Sequence, residues 1–240
     1  RRGRIRHPAL RRISCLMPET LHIEALVEDR SGTVMLKEIL RDYFAARRRP
    51  TPDYELYLRP HKGLGHLPED LYAEPGKHKY GLLNLLPAKL RAYGKVLDPA
   101  SALIILVLDA DNRDPRLFDA RLERLCKKMA PGLPHVIAVA VEEMEAWLLG
   151  DWQALKTAYP EADYELYRRY EQDSVCGTWE LLAEILLGKR ARHLIKIGYP
   201  AVGEYKNRWA EAIAPYIKVE RNRSPSLRRF LRRKIGRAHV

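Results

Sequence analysis

Two aspartates one residue apart, Asp109 and Asp111, close a seven-residue apolar run, Ala102 to Leu108 (ALIILVL). Carboxylates at that spacing in a turn can converge on one hard divalent cation, although turn formation or capping of the next helix explains the pair equally well when it stands alone. They do not stand alone. Glu28 closes an earlier apolar run, LHIEALVE, and Glu142 and Glu145 follow a third, HVIAVAV. Three apart at an expected helix start, Glu142 and Glu145 should share a face, and their bland reading is as acids offsetting the helix dipole. If the three runs are neighbouring strands of one sheet, five carboxylates meet at one edge, and like charges at that density need cations. All-oxygen ligation without cysteine or clustered histidine points to Mg²⁺ or Mn²⁺ rather than zinc or copper. The long Gly-, Pro- and His-rich stretch Arg59 to Lys79 holds HKGLGHLP, whose Lys62, Gly63 and Gly65 can bring a cation and backbone amides to a phosphate; a flexible surface loop is the alternative.

The elements that must position these residues follow from periodicity. Residues 21–28, 53–58, 102–109 and 135–141 read as strands, the third apolar at every position before its acids and therefore expected in the centre of a mostly parallel sheet, flanked by 21–28 and 135–141. Helices are expected over 33–46, with Ser31 and Gly32 as cap and turn, over 80–93 with a bend or break at Pro87, and over 115–129. From Asp151 onward the pattern is only helical: 152–158, 179–187, 190–195, 203–213 and 226–233. The fold class is α/β, with a mostly parallel sheet flanked by helices and a helical C-terminal extension. The expected division is an α/β domain over 17–151 and a helical part over 152–233 packed on the sheet.

Composition narrows the class. Hydrophobic residues make up 46% of the chain and charged residues 31%, and no apolar run approaches the roughly 18 residues of a membrane span. The basic N-terminus lacks a following apolar segment, so the cytoplasm is the expected location and no membrane partner is expected. Cys15, Cys126 and Cys176 show no CxxC spacing, which argues against a disulfide framework or a zinc site. A formal charge of +12 suggests a polyanionic partner, but six arginines lie in residues 1–16 and two further basic residues in 234–240, leaving about +4 between them. Residues 1–16 read as a non-native or disordered leader before Met17, and KIGRAHV (234–240) resembles the translation of a sequencing adapter; neither end is expected to join the core. The remaining surplus is concentrated in RNRSPSLRRFLRR (221–233), either a phosphate-tracking surface or a solvated helix face.

The order of these motifs, a glutamate ending the first strand and DxD ending a later one, resembles the TOPRIM fold of topoisomerases, primases and OLD-family nucleases, with Asp29 standing where a glycine is usual. The set VEDRSG, HKGLGHLP, LVLDADN and AVAVEEMEAWLLGD more closely resembles the TOPRIM-like family called domain of unknown function 4276, over about Leu21 to Asp151 and on through SPSLRRF. This resemblance implies nucleotidyl-transfer or phosphodiester chemistry on nucleic acid, DNA more than RNA. It implies Glu28 as acid/base or metal ligand, Asp109 and Asp111 as ligands, and Glu142 and Glu145 at a second metal position. Lys62 is the candidate for the scissile phosphate. No GxxxxGK[ST] occurs, so an ATPase partner of the OLD type would be a separate chain. LDADN also resembles the metal-binding DxD of nucleotide-sugar glycosyltransferases, a reading that leaves Glu28 and EEMEAW without a role. A haloacid-dehalogenase reading expects Thr or Val where Arg113 stands, and the residue at 29 keeps open a non-catalytic TOPRIM-like regulator.

Overall fold

A computed structural model describes residues 20–46, 53–77, 79–233 and 235. The expectations for residues 1–16, and for 234–240 apart from Ile235, lie outside the described residues. Four strands, β1 (Thr20–Val27), β2 (Asp53–Pro60), β3 (Ala102–Asp109) and β4 (His135–Ala140), form one sheet in the order β2-β1-β3-β4, every pair parallel. The continuous apolar runs occupy the inner positions: β3 is buried at each residue up to Leu108 and lies between β1 and β4. β2, with alternating exposure, takes an edge.

Helices cover both faces because side chains alternate across a strand. Ile23, Ala25, Val27, Leu103, Ile105 and Val107 face one core with α1 (Arg30–Ala45), while Leu26, Ile104, Leu106 and Leu108 face the other with α2 (Leu82–Val96) and α3 (Pro115–Met129). After β4 only helices follow among the described residues: α4 (Glu145–Leu149), α5 (Trp152–Ala158), α6 (Tyr164–Tyr167), α7 (Thr178–Leu187), α8 (Ala191–Ile197), α9 (Ala201–Ile213) and α10 (Pro225–Arg232). They share the α1-side core, in which Trp147, Trp209 and Phe230 are fully or almost fully buried. Ile235 is fully buried in that core too, against the expectation that the last residues avoid it. No helix among the described residues is long and apolar enough to cross a membrane.

This is a Rossmann-like α/β fold. Because all four strands run the same way, their C-terminal ends, Val27, Pro60, Asp109 and Ala140, lie along one edge of the sheet. The order 2-1-3-4 places the topological switch point between β1 and β3, where open α/β sheets bind ligands.

Several boundaries moved for physical reasons. α1 begins at Arg30, earlier than expected, because Asp29 is its cap: Oδ1 accepts from Gly32 N at 2.7 Å and Oδ2 from Ser31 Oγ at 2.8 Å. Glycine at 32 lets this first turn close on the sheet, since a Cβ there would stand 2.7 Å from Val27 Cγ1 and 2.8 Å from Met144 Sδ. α2 runs through Pro87 without division. The segment Glu142 to Met144 is not helical. Glu142 has φ 56 and α4 starts only at Glu145, so the two glutamates do not share a helix face.

Candidate functional site

Glu28, one residue past β1, and Asp109, the last residue of β3, meet across the switch point. The Asp109 N–H donates to Glu28 Oε2 at 3.1 Å, and Glu28 N donates to Val107 O at 3.1 Å, which fixes the backbone of both acids. Asp109 Oδ1 is sealed from solvent and has no hydrogen-bond partner. Other buried side-chain oxygens, among them those of Gln172 and Glu180, also lack a partner, and what sets Asp109 Oδ1 apart is its place beside Glu28 at the switch point. Burial pushes the Glu28 carboxyl up to about 7, the Asp109 N–H partly offsetting it and the charges of Asp111 and Asp29 adding to it. Asp109 is raised well above the ordinary aspartate value, first by burial, then by Glu28 and Glu145.

Below this pair lies a buried ion cluster that the motifs did not reveal. Lys206 of α9, 5% exposed, places Nζ 3.1 Å from Glu143 Oε1 and 3.2 Å from Glu145 Oε2. Burial opposes its ammonium, but Glu145, Glu143 and Asp109 outweigh that and hold its pKa above the ordinary lysine range. Glu145 is 1% exposed, and both it and Glu143 are raised by burial despite Lys206, Glu143 to about 7. Asp29 acts on Glu28, Asp109 and Glu145 by charge alone. One ammonium therefore serves Glu143, Glu145 and Asp109, while Glu28 and Asp29 add further negative charge to the same acids. Protons or a further cation must make up the difference. The signal in the sequence was a lysine on the apolar face of α9, aligned with Val202, Trp209, Ala210 and Ile213, all buried.

Two of the expected ligands point elsewhere. Glu142 accepts from Cys176 N (3.1 Å), Gly177 N (3.0 Å), Thr178 N (3.0 Å) and the Thr178 hydroxyl, closing the N-terminus of α7, which has no side-chain cap of its own. Burial is more than offset by these donors, which hold Glu142 below the ordinary glutamate value. Asp111, 48% exposed, pairs with Arg113 Nη1 at 2.6 Å. Its φ of 48 and that of Glu142 lie in the left-handed region, and Asp111 N donates to Glu142 O at 2.9 Å, so the two strained residues brace each other beside the site. Glu142→Ala should therefore cost about 2 kcal/mol of stability through the lost cap and leave Mn²⁺ binding unchanged. Urea denaturation and calorimetric titration test both; weakened metal binding would return Glu142 to the site.

The loop after β2 seats on the same edge. His61 N donates to Val27 O at 3.0 Å, Gly63 N to Glu28 O at 3.1 Å and Lys62 N to Tyr80 O at 3.3 Å. Those amides are thus engaged by carbonyls rather than turned to a phosphate, and what Lys62 offers is its ammonium, 5.2 Å over the Tyr80 ring. The loop closes on itself where a Cβ on Gly81 would stand 2.6 Å from Gly65 Cα. The basic C-terminal stretch is partly structural. Arg221 makes two 2.8 Å bonds to buried Asp151, Arg228 donates to Asn222 O, and Arg233 pairs with Asp119. Ser226 accepts from the Trp147 indole at 2.9 Å.

Among the described residues no three His, Cys, Asp or Glu side chains are arranged as a metal-binding group. Magnesium does not require one. It commonly keeps several waters and binds through one or two carboxylates together with substrate phosphate oxygens. Glu28 and the unpartnered Asp109 Oδ1 fit that donor set in chemistry and charge.

The profile of a protein family, domain of unknown function 4276 (DUF4276), matches residues 27–233, from the end of β1 past the end of α10. The chain belongs to that family. No curated protein and no solved structure matches it.

Proposed function

We propose that this protein is a Mg²⁺- or Mn²⁺-dependent phosphodiesterase of TOPRIM type, acting in the cytoplasm as a nuclease subunit of a defence or DNA-processing system. Its substrate is nucleic acid, DNA before RNA, and any ATPase that drives it is a separate subunit. The observation that carries this reading is the unpartnered Asp109 Oδ1 beside Glu28 at the β1/β3 switch point. Glu28 and Asp109 would hold the cation, which when bound neutralises charge on the transferring phosphoryl group and lowers the pKa of its water.

The protein's own groups supply the rest. Glu28, with a pKa of about 7, can take up or release a proton near neutral pH, as a general acid or base requires. Lys62 stands on the loop bonded to the Glu28 backbone, where an ammonium can meet a phosphate oxygen. Lys206 is too buried to reach substrate and instead holds Glu143 and Glu145 beneath the pair. A nucleotide-sugar site of DxD type would need Asp109 and Asp111 on one cation, whereas Asp111 is turned outward to Arg113.

Incubation with single- and double-stranded DNA and RNA tests the proposal. Mg²⁺ or Mn²⁺ should support cleavage and EDTA should abolish it. Mn²⁺-dependent binding of a nucleotide sugar with no cleavage of any nucleic acid would replace this reading.

A further inference from the structure

The sheet carries an uncovered face that leads to the site. Residues 55, 57, 59 and 61 of β2 and its exit alternate onto the α2 side, about 6.6 Å apart. α2 leaves them partly open: Tyr57 is 37% exposed and the Arg59 side chain 47% exposed. Tyr57 is stacked on His22 with ring centroids 4.6 Å apart, and the Arg59 guanidinium stands 5.6 Å from the Tyr57 centroid.

Arg59 is held there from beneath. Glu24, 4% exposed in the middle of β1, accepts from Arg59 Nε at 2.9 Å, Arg59 Nη2 at 3.1 Å and Tyr93 Oη at 3.1 Å, with His22 Nε2 at 3.3 Å. A buried glutamate spent on fixing surface rings and a guanidinium makes a rigid platform whose order is already set before any ligand arrives. Lys89 of α2 adds a cation close enough to feel Arg59 and Glu24, and makes no ion pair within 4 Å among the described residues. Up the strand, at the sheet mouth, the second exposed ring, Tyr80 (53% exposed), carries Lys62 over its face. The backbone joining Lys62 to Gly63 is bonded to Glu28.

We infer that the α2-side face of β2, from Tyr57 to Tyr80, is a binding track for single-stranded nucleic acid that delivers a strand to Glu28 and Asp109. Exposed rings paired with cations are what unpaired bases and their phosphates require. Bases stack on Tyr57 and Tyr80 regardless of sequence, and phosphates meet Lys62 and Lys89. A duplex keeps its bases stacked inside and cannot use the rings. The inference deepens the nuclease reading by naming the strand state of its substrate, but binding along the track does not require that the site cleaves.

Fluorescence anisotropy of the full chain with a labelled oligothymidine in EDTA separates the two. Tyr57→Ala and Tyr80→Ala, both at exposed positions, should each weaken binding about fivefold or more, equivalent to ~1 kcal/mol for one lost base stack. Lys89→Gln should reduce the salt slope of log K by about 0.7. Wild-type protein that binds the oligothymidine through the rings in EDTA, yet never cleaves it once Mg²⁺ or Mn²⁺ is restored, defeats the nuclease reading and leaves the track standing. The track is overturned if both tyrosine variants bind as wild type with unchanged melting temperature. It is equally overturned if duplex binds as tightly as single strand, or if sedimentation shows that β2 pairs with a second copy and no oligonucleotide binds.

Discussion

On the proposed reading, Asp109→Asn should abolish divalent-cation binding and cleavage while making the cation-free protein more stable above neutral pH. The two effects have one cause. In the native fold Asp109 is partly buried with one carboxylate oxygen sealed from solvent and without a donor, and it is repelled by Glu28 and Glu145, so its pKa lies above the unfolded value. The native state then holds more protons than the unfolded chain, and stability falls as pH rises above the unfolded aspartate pKa of about 3.9. Glu28 acts in the same sense, between the ordinary glutamate range and about 7. The contribution of these two acids to wild-type stability in EDTA should therefore decline from acid to neutral pH, against the opposite trend of acids held low, such as Glu142 and Glu24. Asp109→Asn and Glu28→Gln should flatten that decline, and Mn²⁺ should reverse it in the wild type alone. Metal affinity should rise with pH through about 7, because binding displaces protons. An ordinary helix-capping aspartate predicts none of this, since Asn caps nearly as well as Asp. Calorimetric Mn²⁺ titrations of Asp109→Asn that match wild type would end the case for a shared cation site.

The sequence made the frame of this site legible and hid its floor. Apolar runs ending in acid identified β1, β3 and β4, their parallel arrangement and the central place of β3, because a strand buried on both faces admits no polar interruption. Family membership likewise followed from the ordered motifs. What failed was local direction. Periodicity put Glu142 and Glu145 on one helix face, but a left-handed residue at 142 delays the helix and sends that carboxylate to α7, some 35 residues on, where unpaired amides compete for it. Asp29, read against a motif as an oddity, is the cap of α1. Gly63 and Gly65 suggested a phosphate cradle, yet the Gly63 amide serves the Glu28 carbonyl. Lys206 escaped because its partners are over 60 residues away, and one lysine among the apolar positions of an amphipathic helix reads as a local interruption rather than as a buried charge.

That lysine carries the second large expectation. Lys206→Met should destabilise the protein by about 3–5 kcal/mol, because removing one partner of a buried ion pair strands the other charges in a poorly solvating interior. Glu143 and Glu145 can escape only by taking up protons. With both carboxyls already raised by burial, losing Lys206 raises them further. The variant's native state then binds still more protons than its unfolded chain, so its deficit should grow as pH rises from about 4.5 and be smallest in acid. Urea denaturation at pH 5 and pH 8 measures this directly. A triple variant, Lys206→Met with Glu143→Gln and Glu145→Gln, should recover most of the loss, since a neutral interior of similar volume needs no counter-ion. Adding Mn²⁺ should raise the melting temperature of Lys206→Met more than that of the wild type, because the acids beneath Asp109 would then lack their internal cation. If the single variant is as stable as wild type at pH 8, the cluster is better solvated than its burial indicates. The account of Lys206 as the fixed charge beneath Glu28 and Asp109 would then be wrong.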